Sequence, residues 1–153
     1  MSKRLLKYFK FSEPSSAPNT GMIPAGSLPF PAAGTSLTVG QETVLASVTL
    51  KKIHYEDRVF ITGSVEWQAL SGTAEMQFRI RRGGVTGTIV ATYLDSGAVA
   101  AETPVARSYT TTINHAETGV HGRIEYVLTA TLLTGTALIE GPISLEGFLI
   151  DEQ

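Results

Sequence analysis

The chain has 153 residues, 42% of them hydrophobic and only 17% charged, with a formal net charge of −2 and no cysteine. That length suits a single domain, and the hydrophobic fraction suits a packed core. The absence of cysteine excludes disulfides, thiolate catalysis and cysteine-ligated zinc together. The small net charge hides an asymmetry: Lys3, Arg4, Lys7 and Lys10 precede any acid, and the remainder carries eight basic against fourteen acidic residues, a balance of −6. A basic tip on an acidic body suits docking of one subunit's arm onto the surface of another.

Residues 1–35 read as an arm and linker. The arm, Met1 to Phe11, is apolar and cationic, and Pro14, Pro18, Pro24, Pro29 and Pro31 make the following stretch a proline-stiffened, glycine-interrupted connector. Leu5-Leu6 is cut short by Lys7, so the apolar core of a secretory signal is missing. No segment approaches the roughly 18 apolar residues of a membrane span. The expectation is synthesis in the cytosol and a final location on a spore or particle surface. In an extended chain Leu5, Phe9 and Phe11 share one face, with Leu6 and Tyr8 on the other. This alternation suits a strand added to a neighbour's sheet edge, main-chain hydrogen bonds supplying affinity and side-chain pockets the register. Leu5, Leu6, Tyr8, Phe9 and Phe11 are therefore the candidate partner-binding residues. Two other readings stay open: the segment folds back as a strand of its own body, or it docks on a surface scaffold protein.

From residue 36 to 153 the period changes to two. Val44, Ala46, Val48 and Leu50 share one face of a first strand, which Lys51 and Lys52 close. Val59, Ile61, Val65, Trp67 and Ala69 line the next, with Gly63 read as a bulge or bend and Ser71-Gly72 as a turn. Ala74, Met76, Phe78 and Ile80 face inward on a third strand, ended by the hairpin signal Gly83-Gly84. A strand over 86–94 ends at an expected turn, Asp95-Ser96-Gly97. A Thr-rich strand spans 105–113, and a loop spans 114–122. Ile124, Tyr126, Leu128, Ala130 and Leu132 give another alternating face. Thr134-Gly135-Thr136 reads as a turn, and Gly141-Pro142 as an edge or break. About eight strands with turn signals every 8–14 residues predict an all-β, antiparallel jelly-roll sandwich with an extended N-terminal arm.

Chemistry-bearing residues are sparse. His115 and His121 flank one expected loop around Glu117, without a recognised zinc spacing. His54-Tyr55-Glu56-Asp57 has too few acids for calcium. Arg79, Arg81 and Arg82 form a cluster too small for nucleic acid, expected to pair with Glu66 or Glu75. Trp67 reads as core rather than a sugar platform. No phosphate loop, nucleophile elbow or zinc-protease motif occurs. Neither an enzyme activity nor a cofactor, metal, membrane or nucleic-acid partner is expected.

The segment from Tyr126 to Ile150, with its Thr-Gly-Thr turn and Gly-Pro-Ile before a final strand, resembles the closing strands of jelly-roll domains on Bacillus-type spores. These include the globular heads of exosporium collagen-like proteins and some endospore appendage subunits. The resemblance covers the last quarter of the chain and implies a tumour-necrosis-factor-like trimeric jelly roll with a structural role. The chain departs from it in having no Gly-X-Y repeat and no cross-linking cysteines. The resulting expectation is a non-enzymatic structural subunit that joins copies of itself into a fibre or surface appendage. The alternatives are a phage decoration or fibre-head protein and, third, a carbohydrate-binding module using Trp67 or exposed tyrosines.

Overall fold

The computed structural model describes residues 4–12, 35–100 and 107–152. The linker prolines Pro14, Pro18, Pro24, Pro29 and Pro31 lie outside them. The described residues are all-β: β1 (Arg4–Ser12), β2 (Thr35–Ser36), β3 (Glu42–Ile53), β4 (Arg58–Arg82), β5 (Thr88–Ala98), β6 (Arg107–Glu117) and β7 (Gly122–Glu152). Every pairing between these strands is antiparallel.

The period-two pattern sets the core. Val59, Ile61, Val65, Trp67 and Ala69 are fully buried, as are Ala74, Met76, Phe78 and Ile80 on the same strand. Tyr126, Leu128, Ala130 and Leu132 are buried on β7, and Leu45, Ala46, Val48 and Leu50 on β3, where a register shift between Val44 and Ala46 gives Leu45 the buried place expected for Val44. Each fully buried Val, Leu, Ile, Phe or Met side chain contributes about 1.5–3 kcal/mol relative to exposure.

Two strands far exceed the usual length, because each continues around a corner. The first part of β4 pairs with β6 on one side and with the second part of β7 on the other. The last part of β4 pairs with β5 and with the first part of β7. On its outer side β7 pairs in succession with β3, β2 and β1. The order is thus β6–β4–β7–β1 in one half and β5–β4–β7–β3 in the other. Counted by halves, the body supplies seven principal strands and the two-residue β2, one fewer than the turn spacing predicts, and the arm strand β1 is the eighth.

The halves touch through their inner faces. A Cβ placed on Gly63 would lie 3.2 Å from Leu128, and one on Gly147 would lie 3.0 Å from Leu50. Trp67 Nε1 on β4 donates to Asp95 Oδ2 on β5 at 3.1 Å, and Arg82 on β4 pairs with Glu117 on β6 at 2.6 Å.

Several expected turns are corners or strand interiors. Ser71-Gly72 and Thr134-Gly135-Thr136 face each other, with Ser71 paired to Thr136 and Glu75 to Thr134. Positive φ at Gly72 (57°) and Gly135 (82°) lets both strands bend together without reversing. Asp95-Ser96-Gly97 stays within β5, where Ser96 pairs with Glu75. The Asp95 carboxylate takes the Trp67 indole, and Gly97 leaves room for the Tyr109 ring. The 114–122 loop shrinks because His115 to Glu117 extend β6 against Val59 to Ile61. Gly63 is an ordinary ladder position whose missing Cβ admits Leu128. Gly141-Pro142, joined by a cis bond, lies in β7 where the register against β4 shifts.

The largest correction concerns the arm. The peptide expected to reach another molecule is the edge strand of its own sheet, running from Arg4 opposite Glu152 to Ser12 opposite Leu145. The same alternation that suits a donated strand suits this closure, and a tethered strand meets its own chain at roughly millimolar effective concentration.

Candidate functional site

The arm carries a β-bulge at Lys7. Register passes from Leu6 opposite Ile150 to Tyr8 opposite Leu149, leaving Lys7 unmatched. One extra residue reverses the facing of everything before it. Leu6 therefore joins Phe9 on the solvent side, exposed at 62% and 49%, and Tyr8 packs against the core. The period-two reading placed Leu6 with Tyr8, and the bulge is why that grouping fails. The side chains of Leu5 and Phe11 lie outside the described residues; their backbones pair with Asp151 and Glu146.

Lys7 turns toward the body. Its ammonium lies 3.0 and 3.1 Å from the two carboxylate oxygens of Asp57, which is 1% exposed. The His54 amide donates to the same carboxylate at 2.6 Å. Burial pushes the Asp57 carboxyl up, but the His54 and Lys7 bonds and the Lys7 charge outweigh it, and the net shift is downward. The acid once weighed as a calcium ligand is committed to holding the arm.

On the solvent side the register builds a row across four strands. Phe9 on β1 lies opposite Phe148 on β7, Phe148 opposite Phe60 on β4, and Phe60 opposite Ala116 on β6. The Phe9 and Phe148 rings sit 5.1 Å apart, tilted by 42°. The Arg58 guanidinium lies 5.7 Å from the centre of the Phe60 ring. Leu6 and Ile150 form the next rung. Glu146, opposite Thr62, flanks the row on the other side. Such cross-strand aromatic pairs stabilise a sheet face; here Phe148 and Phe60 are half-buried while Phe9, at the β1 end, stays exposed. β1 is also an edge: among the described residues it pairs only with β7.

Sequence reasoning named Leu6 and Phe9 but missed Phe60 and Phe148. The signal was present, since both are aromatic at positions out of phase with buried neighbours: Val59 and Ile61 for one, Leu149 for the other.

The remaining candidates are structural. Arg79 and Arg81 meet Glu42 on β3, at 3.2 and 2.7 Å, rather than Glu66 or Glu75. Thr129 also donates to Glu42, at 2.5 Å. The Arg81 hydrogen bond is the main cause that holds the Glu42 carboxyl down at about 2, against the opposing effect of burial. Arg82 and the Tyr126 hydroxyl share Glu117. Burial, with the Glu117 acceptor, pushes the Tyr126 hydroxyl far above its usual range. His115 lies 3.6 Å from Glu117, while His121 stacks on Tyr55 at 4.3 Å. The two histidines therefore serve different neighbours, and no group of three His, Cys, Asp or Glu among the described residues is placed to hold a metal ion. Trp67 is fully buried, which removes it as a sugar platform. No described helix is long and apolar enough to cross a membrane. Comparison with known proteins finds no family model, no curated protein and no solved structure that matches the chain.

Proposed function

We propose that this chain is a non-enzymatic structural subunit, a jelly roll that associates with copies of itself through the outer face of β1, β7 and β4. The observation that carries this reading is the pair of exposed residues Leu6 and Phe9, continued by the half-buried Phe148 and Phe60 on the same face, beside the open edge of β1. Exposed apolar patches of this kind mark interaction surfaces, and aromatic side chains are enriched at the centres of protein interfaces. The occupant is a second copy because the surface offers both charges. Arg58 lies beside Phe60 on this face, whereas Glu66, Glu140 and Glu146 occupy outward positions on the same half. Self-complementary surfaces of this kind make closed homo-oligomers or open filaments.

Two four-stranded orders, β6–β4–β7–β1 and β5–β4–β7–β3, support the jelly-roll assignment. A jelly roll is also what the resemblance to spore-surface proteins implies, and that resemblance is the basis on which a spore appendage or surface layer is the proposed setting.

The test is sedimentation and negative-stain microscopy of the full chain against Leu6→Ser/Phe9→Ser. Both residues are exposed, so the variant keeps its core. The wild type is expected to form concentration-dependent oligomers or fibres, and the variant to sediment as monomer. Leu94→Ser, at a 70% exposed position on β5, is expected to assemble normally. A monomeric wild type, or equal loss in the Leu94 control, defeats the proposal.

A further inference from the structure

Two separate irregularities in edge strands converge on one cleft. In β1 the bulge leaves Lys7 unmatched. In β3 the register passes from Leu50 opposite Ile124 to Ile53 opposite Gly122, so Lys51 and Lys52 share a single partner position. Bulges re-aim side chains and recur beside functional sites. Lys52 also sits at φ 57°, the only described non-glycine residue with positive φ. That region is unfavourable for a long side chain and persists only where the surroundings hold it.

The outcome is a cavity of about 270 Å³ lined by Lys7, Lys51 and Lys52, with Tyr8 and Leu149 as the other lining residues. Lys7 is paired with Asp57. Lys51 and Lys52 are exposed and have no carboxylate partner among the described residues. Three lysines thus line one cleft, one of them paired with Asp57, on a body whose charge is otherwise negative. A strand end needs neither three lysines nor a strained one.

We infer that this cleft binds a small oxyanion bearing two or more negative charges, of the polycarboxylate or phosphate kind, and that the bound anion fastens β1 to the body. The volume of about 270 Å³ fits a compact ligand rather than a polymer. Lys7 and Tyr8 come from β1, whereas Lys51 and Lys52 come from β3. The site is complete only when the arm is docked, so a ligand favours the docked state by mass action. The inference does not rest on self-association and holds for a monomer.

Citrate and inorganic phosphate are the probes, each against sodium chloride of equal ionic strength. Binding is read by calorimetry, and arm docking by amide exchange of residues 6–10 in the intact chain. At a ligand concentration tenfold above its Kd, exchange limited by β1 opening is expected to slow about tenfold. Lys51→Ala/Lys52→Gly removes two charges at exposed positions and relieves the positive φ. It is expected to fold at least as stably as wild type, to bind at least tenfold more weakly and to lose the slowing. Binding of either anion with that loss supports the inference. Neither anion exceeding the chloride control, or a double variant that binds like wild type, overturns it.

Discussion

Lys7→Met isolates the contact that holds β1. It keeps most of the stem and deletes the ammonium lying 3.0 and 3.1 Å from Asp57. The Asp57 carboxylate, 1% exposed, is then left with the His54 amide at 2.6 Å. Removing one partner of a fully buried ion pair costs about 3–5 kcal/mol. The Lys7 side chain is 28% exposed, so solvent already screens part of the attraction, and about 2 kcal/mol is expected. The dependence on pH identifies the cause. In the wild type the folded-state pKa of Asp57 lies below the ordinary 3.8. Its contribution is therefore full above 3.8 and fades as pH falls through the lower folded value. Without Lys7 burial dominates and the folded pKa rises, so the uncompensated charge is relieved by protonation. The variant's deficit should be largest at pH 7 and should shrink below about pH 4. Urea unfolding followed by fluorescence of Trp67, the single tryptophan, measures it at both pH values. Adding Asp57→Asn should recover part of the loss at pH 7. A deficit independent of pH, or no recovery in the double variant, refutes the reasoning.

Glu42→Gln should remove an acid-labile contribution. A carboxyl held at about 2 instead of 4.5 corresponds to at most about 3 kcal/mol, and its one-quarter exposure reduces this to about 1–2 kcal/mol. The wild type should lose that amount between about pH 5 and pH 2, while the variant, weaker at pH 7, should show a correspondingly shallower acid limb in urea titrations. Gly135→Ala should cost more than about 2 kcal/mol, because φ is 82° and the new Cβ would lie 2.2 Å from the Thr73 carbonyl oxygen. Gly72→Ala, at φ 57° with nothing within 4 Å, should cost only about 1 kcal/mol. Thermal melts that rank these two in the opposite order would contradict the corner geometry.

What the sequence made legible was set by strict alternation. Val59 to Ala69 and Ala74 to Ile80 faced inward as read, because a half-buried strand leaves no other placement for its apolar set. Single-residue irregularities and long-range partners were not legible. The bulge at Lys7 regrouped Leu6 with Phe9, and no local pattern announces such a bulge. Gly72 and Gly135 looked like hairpin turns because positive φ serves a corner as well as a reversal. Glu42 and Glu117 were passed over in favour of Glu66 and Glu75, because the partners of Arg79, Arg81 and Arg82 are fixed by which strands adjoin. Phe60 and Phe148 were legible as apolar residues on a polar face, but only strand register shows that they align with Phe9.

That alignment changes what the arm does. A donated strand carries its apolar side chains away and buries them in another molecule. A docked β1 does the opposite, presenting Leu6 and Phe9 to solvent beside Phe148 and adding an open edge to the sheet. Twenty-two residues, 13–34, join Ser12 to Thr35, although their partners Leu145 and Ile139 stand only six positions apart on β7. Such a length spans up to roughly 70 Å when extended, enough for exchange between copies, yet exchange would replace the same hydrogen bonds without adding any. Assembly through a docked arm needs no release and gains contacts that closure alone does not supply. Deleting residues 1–12 is expected to abolish the proposed assembly by either route and so cannot separate them. Leu6→Ser/Phe9→Ser separates them because it spares the ladder and the Lys7–Asp57 contact. A variant that keeps β1 protected from exchange yet sediments as monomer places the interface on the outer face rather than in a donated strand.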